Sequence, residues 1–322
     1  MTIAAGILER YKRYGWSEPP GEWGHLHSEQ RKSYHDILEA GDEAVLQALL
    51  GGMFQSDAVV GLVGFNIDML RCLNMPSSPD DFETAFSTFT ETCLTIWAAY
   101  IDGMTTDFAR LHAPQLGLAM VAEMPDGIQI MPDTPRHDHY AQRIIKLLPD
   151  GGTVFEIGGG YGGVALQLLR ASDNIRVVLC DLPETLYLAW WWLSNATDRT
   201  VAWYDDDPSA DVLLVPAQER DTWHGSPDLV FAAHSLSEMT LPVVESYMGW
   251  VRQMLPRYFY IDQARMMTAE KDDVQLTAAE WPEVLTDDMV PGPPYREVYR
   301  APTIWPVTGS RYWEFLFERE DK

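Results

Sequence analysis

One run constrains this chain more than any other: Val154-Phe155-Glu156-Ile157-Gly158-Gly159-Gly160-Tyr161-Gly162-Gly163, followed by Val164-Ala165-Leu166-Gln167-Leu168-Leu169. An apolar stretch, a cluster of glycines and a second apolar stretch read as buried strand, tight turn and helix. Glycine lets the backbone approach a ligand closely and take up positive φ. The first turn of a helix offers unpaired N–H groups. A doubly wound α/β sheet holds a nucleotide-like cofactor with such a turn.

The rhythm around the run agrees. Strands are predicted at 153–157, 175–180, 212–215, 228–233 and 257–262, and helices near 162–171, 183–196 and 240–255. Such alternation predicts a mostly parallel, doubly wound sheet with crossover helices. Two late runs, 295–299 and 312–317, are expected to add an antiparallel edge. Upstream, residues 1–25 read as irregular and Ser28 as the N-cap of a helix that breaks at Gly41-Asp42. A helical stretch is expected at 56–73, and Ser77-Ser78-Pro79-Asp80 opens another. Prolines make 113–136 a connector, and a helix from His137 to Leu148 leads into the sheet. The expected division is a helical region, 1–145, and an α/β domain, 146–322.

Bulk charge narrows the partners. With 23 basic and 48 acidic residues the net charge is −25. Such a chain repels phosphate backbones and anionic membrane surfaces, so neither nucleic acid nor a membrane is an expected partner. The three cysteines, Cys72, Cys93 and Cys180, lack metal-ligand spacing and fit a reducing compartment. No apolar run reaches the roughly 18 residues of a membrane span. The apolar start is interrupted at once by Glu9, Arg10, Lys12 and Arg13, so the expectation is a cytoplasmic protein.

Gly158-x-Gly160-x-x-Gly163 also satisfies the dinucleotide fingerprint. Glu156 argues against that ligand. A carboxylate two residues before the first glycine repels a pyrophosphate but attracts the ammonium and sulfonium of S-adenosylmethionine. Asp181, in Cys180-Asp181-Leu182-Pro183-Glu184, suits ribose hydroxyls in either case. The plain alternatives are a strand-end carboxylate for Glu156 and a helix cap for Asp181.

The run from Glu156 to Gly163 resembles motif I of class I S-adenosylmethionine-dependent methyltransferases. Together with Asp181-Leu182-Pro183-Glu184, His234-Ser235-Leu236-Ser237-Glu238-Met239 and Tyr258-Phe259-Tyr260-Ile261-Asp262, it is similar to the sugar O-methyltransferase family over roughly residues 150–265. The resemblance implies a Rossmann-like sheet and a cofactor held by Glu156, Gly158, Gly160, Tyr161, Gly162, Asp181 and Leu182. Gln218, after the third strand, is expected beside the adenine. The implied reaction is O-methylation of a sugar hydroxyl on a glycan, glycolipid or glycosylated metabolite. The helical region would cap the acceptor site and offer a homodimer contact. Some relatives hold acceptor hydroxyls with Mg2+, which makes magnesium a candidate here with no ligand set assigned.

Transfer to oxygen needs a base beside the acceptor hydroxyl, at the carboxyl ends of the strands. His234, following Leu229–Ala233, meets that requirement, with Glu238 four residues on to orient the imidazole or bind a hydroxyl. Their plain alternatives are a cofactor contact and a helix cap. His137, His139 and Tyr140 on the entry helix, and Asp262 at the end of the fifth strand, are substrate candidates, against a solvated helix face for the histidines. Asp205-Asp206-Asp207 invites a metal reading but more often marks a solvated turn. Trp190-Trp191-Trp192 cannot share one helix face, and is expected to pack on the helical region or stack on a ligand. The rival functions are an O-methyltransferase for an aromatic or polyketide natural product, a non-catalytic S-adenosylmethionine-binding subunit and, more distantly, a dehydrogenase.

Overall fold

The structure is a computed structural model that describes residues 2–19, 22–25, 30–64, 79–100, 108–124, 127–264, 286–305 and 312–320. Helix α1 (Ile3–Tyr14) starts at Thr2, whose hydroxyl accepts from the Ala5 N–H, and ends at Gly15. This corrects the expected irregular start. The Pro/Gly cluster begins only where the helix stops, and α1 buries Ala4, Gly6 and Ile7 along one stripe. A one-turn helix follows at Glu22–His25.

Helices α2 (Lys32–Ala40) and α3 (Glu43–Gly51) meet at the expected break. Gly41 takes φ 66°, and Asp42 caps α3 by accepting from Ala44 and Val45. The expected cap Ser28 lies outside the described residues. Of the helix expected at 56–73, the described part forms only a short 3-10 turn, Asp57–Val59; residues 65–73 lie outside. Helix α4 (Pro79–Tyr100) follows, its expected openers Ser77 and Ser78 also lying outside. The connector holds a two-residue ladder, Ala122–Glu123 against Gln129–Ile130. Helix α5 (Thr134–Leu147) begins earlier than expected, with Pro135 in its first turn, and runs through the expected division at residue 145.

The strands are β1 (Gly152–Ile157), β2 (Ile175–Asp181), β3 (Val201–Trp203), β4 (Val212–Pro216), β5 (Leu229–Ala233), β6 (Tyr258–Ala264), β7 (Tyr295–Pro302) and β8 (Tyr312–Arg319). Helices α6 (Gly163–Ala171), α7 (Pro183–Ala196) and α8 (Leu241–Met254) connect them. The sheet order is β3-β4-β2-β1-β5-β6-β8-β7. Every pair is parallel except those made by β8 with β6 and β7. This is the doubly wound, mostly parallel, Rossmann-like sheet with an antiparallel edge that the pattern predicts. Only β3 escapes the pattern, because three residues carry no readable alternation.

Alternation within the strands splits the core in two. Val154, Val177, Leu179, Phe231 and Tyr260 face the N-terminal helices together with α5 to α7. Phe155, Val178, Val230, Phe259 and Phe315 face α8. The tryptophan triplet belongs to the first layer. Trp192 packs edge-on against Phe54, and a Cβ added at Gly6 of α1 would lie 2.6 Å from the Trp190 ring. No helix among the described residues is long and apolar enough to cross a membrane.

Candidate active site

The ladders bring the carboxyl ends of the central strands level. Ile157 pairs with Cys180 and Ala232, and Ala233 pairs with Asp262. Four candidate groups therefore share one edge: Glu156 and its glycines, Asp181, His234 and Asp262.

The glycine turn is shaped by close approach. Gly158 donates its N–H to the Cys180 carbonyl at 2.8 Å with φ 72°, and a Cβ there would meet Ser235 at 2.3 Å. Gly160 donates to Asp181 Oδ2 at 2.8 Å, and no atom lies within 4 Å of the position its Cβ would take. The Leu182 N–H donates to the other Asp181 oxygen at 2.7 Å. Asp181 thus ties the turn to the start of α7, while each oxygen keeps a lone pair for a further donor. Gly162 caps α6.

Glu156 is 4% exposed, and its Oε2 has no hydrogen-bond partner. Burial, and then the neighbouring Asp181, push its carboxyl up to about 8. Burial likewise lifts Asp181 to about 7, against the two backbone N–H groups that favour its ionised form. Two buried carboxyls side by side make a site that gains from a cation bringing N–H or O–H donors. The residues present therefore fit S-adenosylmethionine, a cationic ligand with an ammonium and a ribose diol, better than a pyrophosphate. Tyr161 points away, packing on Phe54, Trp192 and His137, so its side chain belongs to the helical layer and only its backbone belongs to the turn. Gln218 is exposed on the 3-10 segment after β4.

A second cluster gathers around His234. Its backbone sits at φ 57°, sparsely populated for a side chain with a Cβ, and its N–H donates to the Asp262 carbonyl at 2.8 Å. The ring stacks on Tyr312 with centroids 4.4 Å apart. Nε2 lies 3.2 Å from Arg136 Nη1, 3.4 Å from the Tyr140 hydroxyl and 3.8 Å from Asp262 Oδ2. Arginine can only donate, so Nε2 accepts and the imidazole is neutral. Burial, and next the Arg136 charge, hold its pKa below the usual histidine value. Asp262 is fully buried. Its Oδ2 accepts from Tyr140 and, at 3.1 Å, from Thr303, while Oδ1 has no hydrogen-bond partner. Burial pushes this carboxyl up, but the contacts with His234, which adds its charge when protonated, with the Tyr140 hydroxyl and with Arg136 outweigh it and hold the group below the usual carboxylate range.

The other candidates disperse. Glu238 accepts from the Trp23 indole at 2.9 Å, while the imidazole is held by Arg136, Tyr140 and Asp262. His137 packs beside Gly163 and Tyr161, where burial and Arg136 drive it down to about 3. His139 faces β8, 3.2 Å from Glu314. The acidic triplet receives α1: Arg10 binds Asp205 and Asp206, and Arg13 binds Asp205. Among the described residues no group of three or more His, Cys, Asp or Glu is arranged to hold a metal ion, so magnesium finds no such ligand set there and no step is assigned to it.

The sequence pattern assigned no role to Arg136, Asp133, Thr303, Tyr312 or Trp23. Nothing in local spacing marks them. Arg136 and His234 are 98 residues apart, and Trp23 and Glu238 are 215 apart.

No protein-family model and no curated protein matches the sequence. Solved structures similar to the chain include N-methyltransferase NodS from Bradyrhizobium japonicum WM9 in complex with S-adenosyl-L-homocysteine, 14% identical over 58% of this chain and 88% of that one, with a TM-score of 0.41. Magnesium protoporphyrin IX methyltransferase from Synechocystis PCC 6803 with bound S-adenosylhomocysteine is 13% identical, over 74% and 99%, at 0.40. The 1,6-didemethyltoxoflavin-N1-methyltransferase of Burkholderia thailandensis is 16% identical, over 57% and 79%, at 0.41.

Proposed function

We propose that this chain is an S-adenosylmethionine-dependent methyltransferase that transfers the methyl group to a sugar hydroxyl. The observation that carries the cofactor is the buried Glu156, with one oxygen unpartnered, beside the glycine turn and Asp181. Bound there, S-adenosylmethionine supplies a methyl group already activated on sulfur. Glu156 would pair with its ammonium, Asp181 would accept from the ribose hydroxyls, and the Gly160 side would leave room for the ligand.

Transfer to oxygen is supported by the neutral imidazole of His234. A sugar hydroxyl is a weak acid, and Nε2 is the one ring nitrogen free to take its proton once the hydroxyl replaces Arg136 as its partner. Arg136 has a second anchor, Asp133 Oδ1 at 3.0 Å, to which it can retreat. Asp262, 3.8 Å away and ionised, favours the imidazolium that forms. Tyr312 holds the ring plane. The sugar itself is supported by the sequence resemblance at Asp181–Glu184 and His234–Met239.

The test is a screen of monosaccharide and oligosaccharide acceptors with S-adenosylmethionine, following S-adenosylhomocysteine release, with and without magnesium. Cofactor turnover with sugars and none with catechols or polyketide phenols is the expected result. Turnover only with the aromatic acceptors would move the chain to natural-product methylation, and binding without turnover would make it a non-catalytic subunit.

A further inference from the structure

Once His234 takes a proton from the acceptor, that proton needs a partner. Tyr140, a substrate candidate by its place on the entry helix, stands where the partner must be. It is 1% exposed, so it is a wall of the cluster and not a surface for a ligand. Its ring packs on Phe231 and Tyr260, with centroids 5.2 and 6.2 Å away, and its hydroxyl reaches both His234 and Asp262.

That hydroxyl has one hydrogen, and Asp262 Oδ2 accepts it. Its oxygen lies 3.4 Å from His234 Nε2, which accepts from Arg136 at 3.2 Å. In the resting protein no hydrogen lies between Tyr140 and Nε2, and lone pair faces lone pair. The contact becomes a hydrogen bond only when Nε2 is protonated. Arg136 has donors alone and cannot receive that proton. The Asp262 carboxylate can, but at 3.8 Å it stands farther off than the Tyr140 oxygen. The His234 N–H on the Asp262 carbonyl, at 2.8 Å, fixes the two residues relative to each other, and Tyr140 bridges their side chains. A contact that is unmade in the ground state and made as the proton arrives raises kcat without tightening binding.

We propose that Tyr140 is a positioning residue for the methyl-transfer step: through its hydroxyl the Asp262 carboxylate steadies the protonated His234 ring. This role rests on His234 acting as the base. The acceptor oxygen loses its proton to Nε2 and gains the methyl group as the carbon–sulfur bond breaks, its electron pair staying on sulfur. Tyr140 keeps its own hydrogen, shared with Asp262.

Tyr140→Phe retains the ring contacts and removes the hydroxyl. Steady-state assays use the fastest acceptor among the monosaccharides and catechols of the screen. We expect kcat to fall about tenfold or more, with acceptor KM and the dissociation constant for S-adenosylhomocysteine within about threefold of the parent. Thr303→Val is the comparison, because Thr303 donates to the same Asp262 oxygen at 3.1 Å rather than to the ring, and its loss in kcat should be at least about three times smaller. Asp262→Asn should cost about tenfold, and adding Tyr140→Phe to it should cost nothing further, since the two act as one unit. That last comparison decides the matter if Tyr140→Phe alone, its carboxylate short of a donor, does not fold. Unchanged kcat in Tyr140→Phe overturns the proposal, as does an equal loss in Thr303→Val, a matching loss of cofactor affinity, or losses that multiply in the double variant. A parent that turns over no acceptor at all fails earlier, at His234 as the base, and takes this role with it.

Discussion

At the scale of single residues the site rests on costly choices. Glu156 is a carboxyl held at about 8 by burial, far above its unfolded value. A carboxyl raised on folding stabilises the fold at pH below its unfolded pKa, and that contribution is lost as pH climbs through the folded value. Glu156→Gln keeps the shape and removes this burden. We expect the ligand-free variant to melt higher than the parent at pH 8, by about 2 °C or more, and to lose most of its affinity for S-adenosylmethionine. A lower melting temperature with intact binding would contradict the assignment. In the parent, cofactor affinity should rise between pH 6 and 8 as Glu156 and Asp181 ionise, with proton release visible as buffer-dependent heat. For His234, His234→Ala should lower kcat about 100-fold or more while leaving the dissociation constant for S-adenosylhomocysteine within a factor of about three. Equal loss of both would make it a cofactor contact. Glu156 and Asp181 were legible because each adjoins a strand end and a glycine or proline signal. Arg136, Thr303 and Tyr312 were not, because their roles exist only once distant strands and α5 meet.

At the scale of elements, the N-terminal segments are pinned to the sheet domain by contacts of unequal weight. Glu184, fully buried, accepts from the Ser17 N–H at 3.2 Å and from its hydroxyl at 2.5 Å, while its own carbonyl accepts from Tyr34. Losing its side chain leaves half-buried donors without their carboxylate, at about 1 kcal/mol or more. The pairs of Arg13 with Asp205 and Glu219 are half-exposed, and each contributes about 0–1 kcal/mol. Glu184→Ala should therefore speed amide exchange in α2 and around Ser17 much more than Arg13→Ala does, with β1 and β2 protected in both. Equal effects would show that the surface pairs bear more of the docking than their exposure allows. The sequence made α6 to α8 and the longer strands readable because their apolar periods are clean. It hid α1, because a single hydroxyl cap at Thr2 is a weaker local signal than the Pro/Gly cluster that follows Tyr14.

At the scale of the whole molecule, the helical region and the sheet share one buried core. Ala4, Ile7, Leu46, Phe54 and Trp97 belong to the same apolar cluster as Val154, Val177 and Trp203. A division at residue 145 cuts through α5 and through that cluster. Thermal unfolding should then show one calorimetric transition, and a chain lacking residues 1–51 should aggregate on expression. Two transitions, or a folded fragment, would restore independent domains. The fold class was readable from the alternation alone. The merging of the two parts was not, because apolar periodicity reports that a face is buried and not what buries it.

The placement of β8 between β6 and β7 has a consequence for biosynthesis. On the ribosome β7 emerges first, yet β8, the one strand it pairs with among the described residues, has still to be made. Asp262 likewise lacks its partner Thr303 and its register mate Glu314 until those later segments appear. The nascent chain must hold its glycine turn and central strands ready while the far wall of the His234 cluster is still being translated, so a premature stop ahead of β8 yields a protein without that wall.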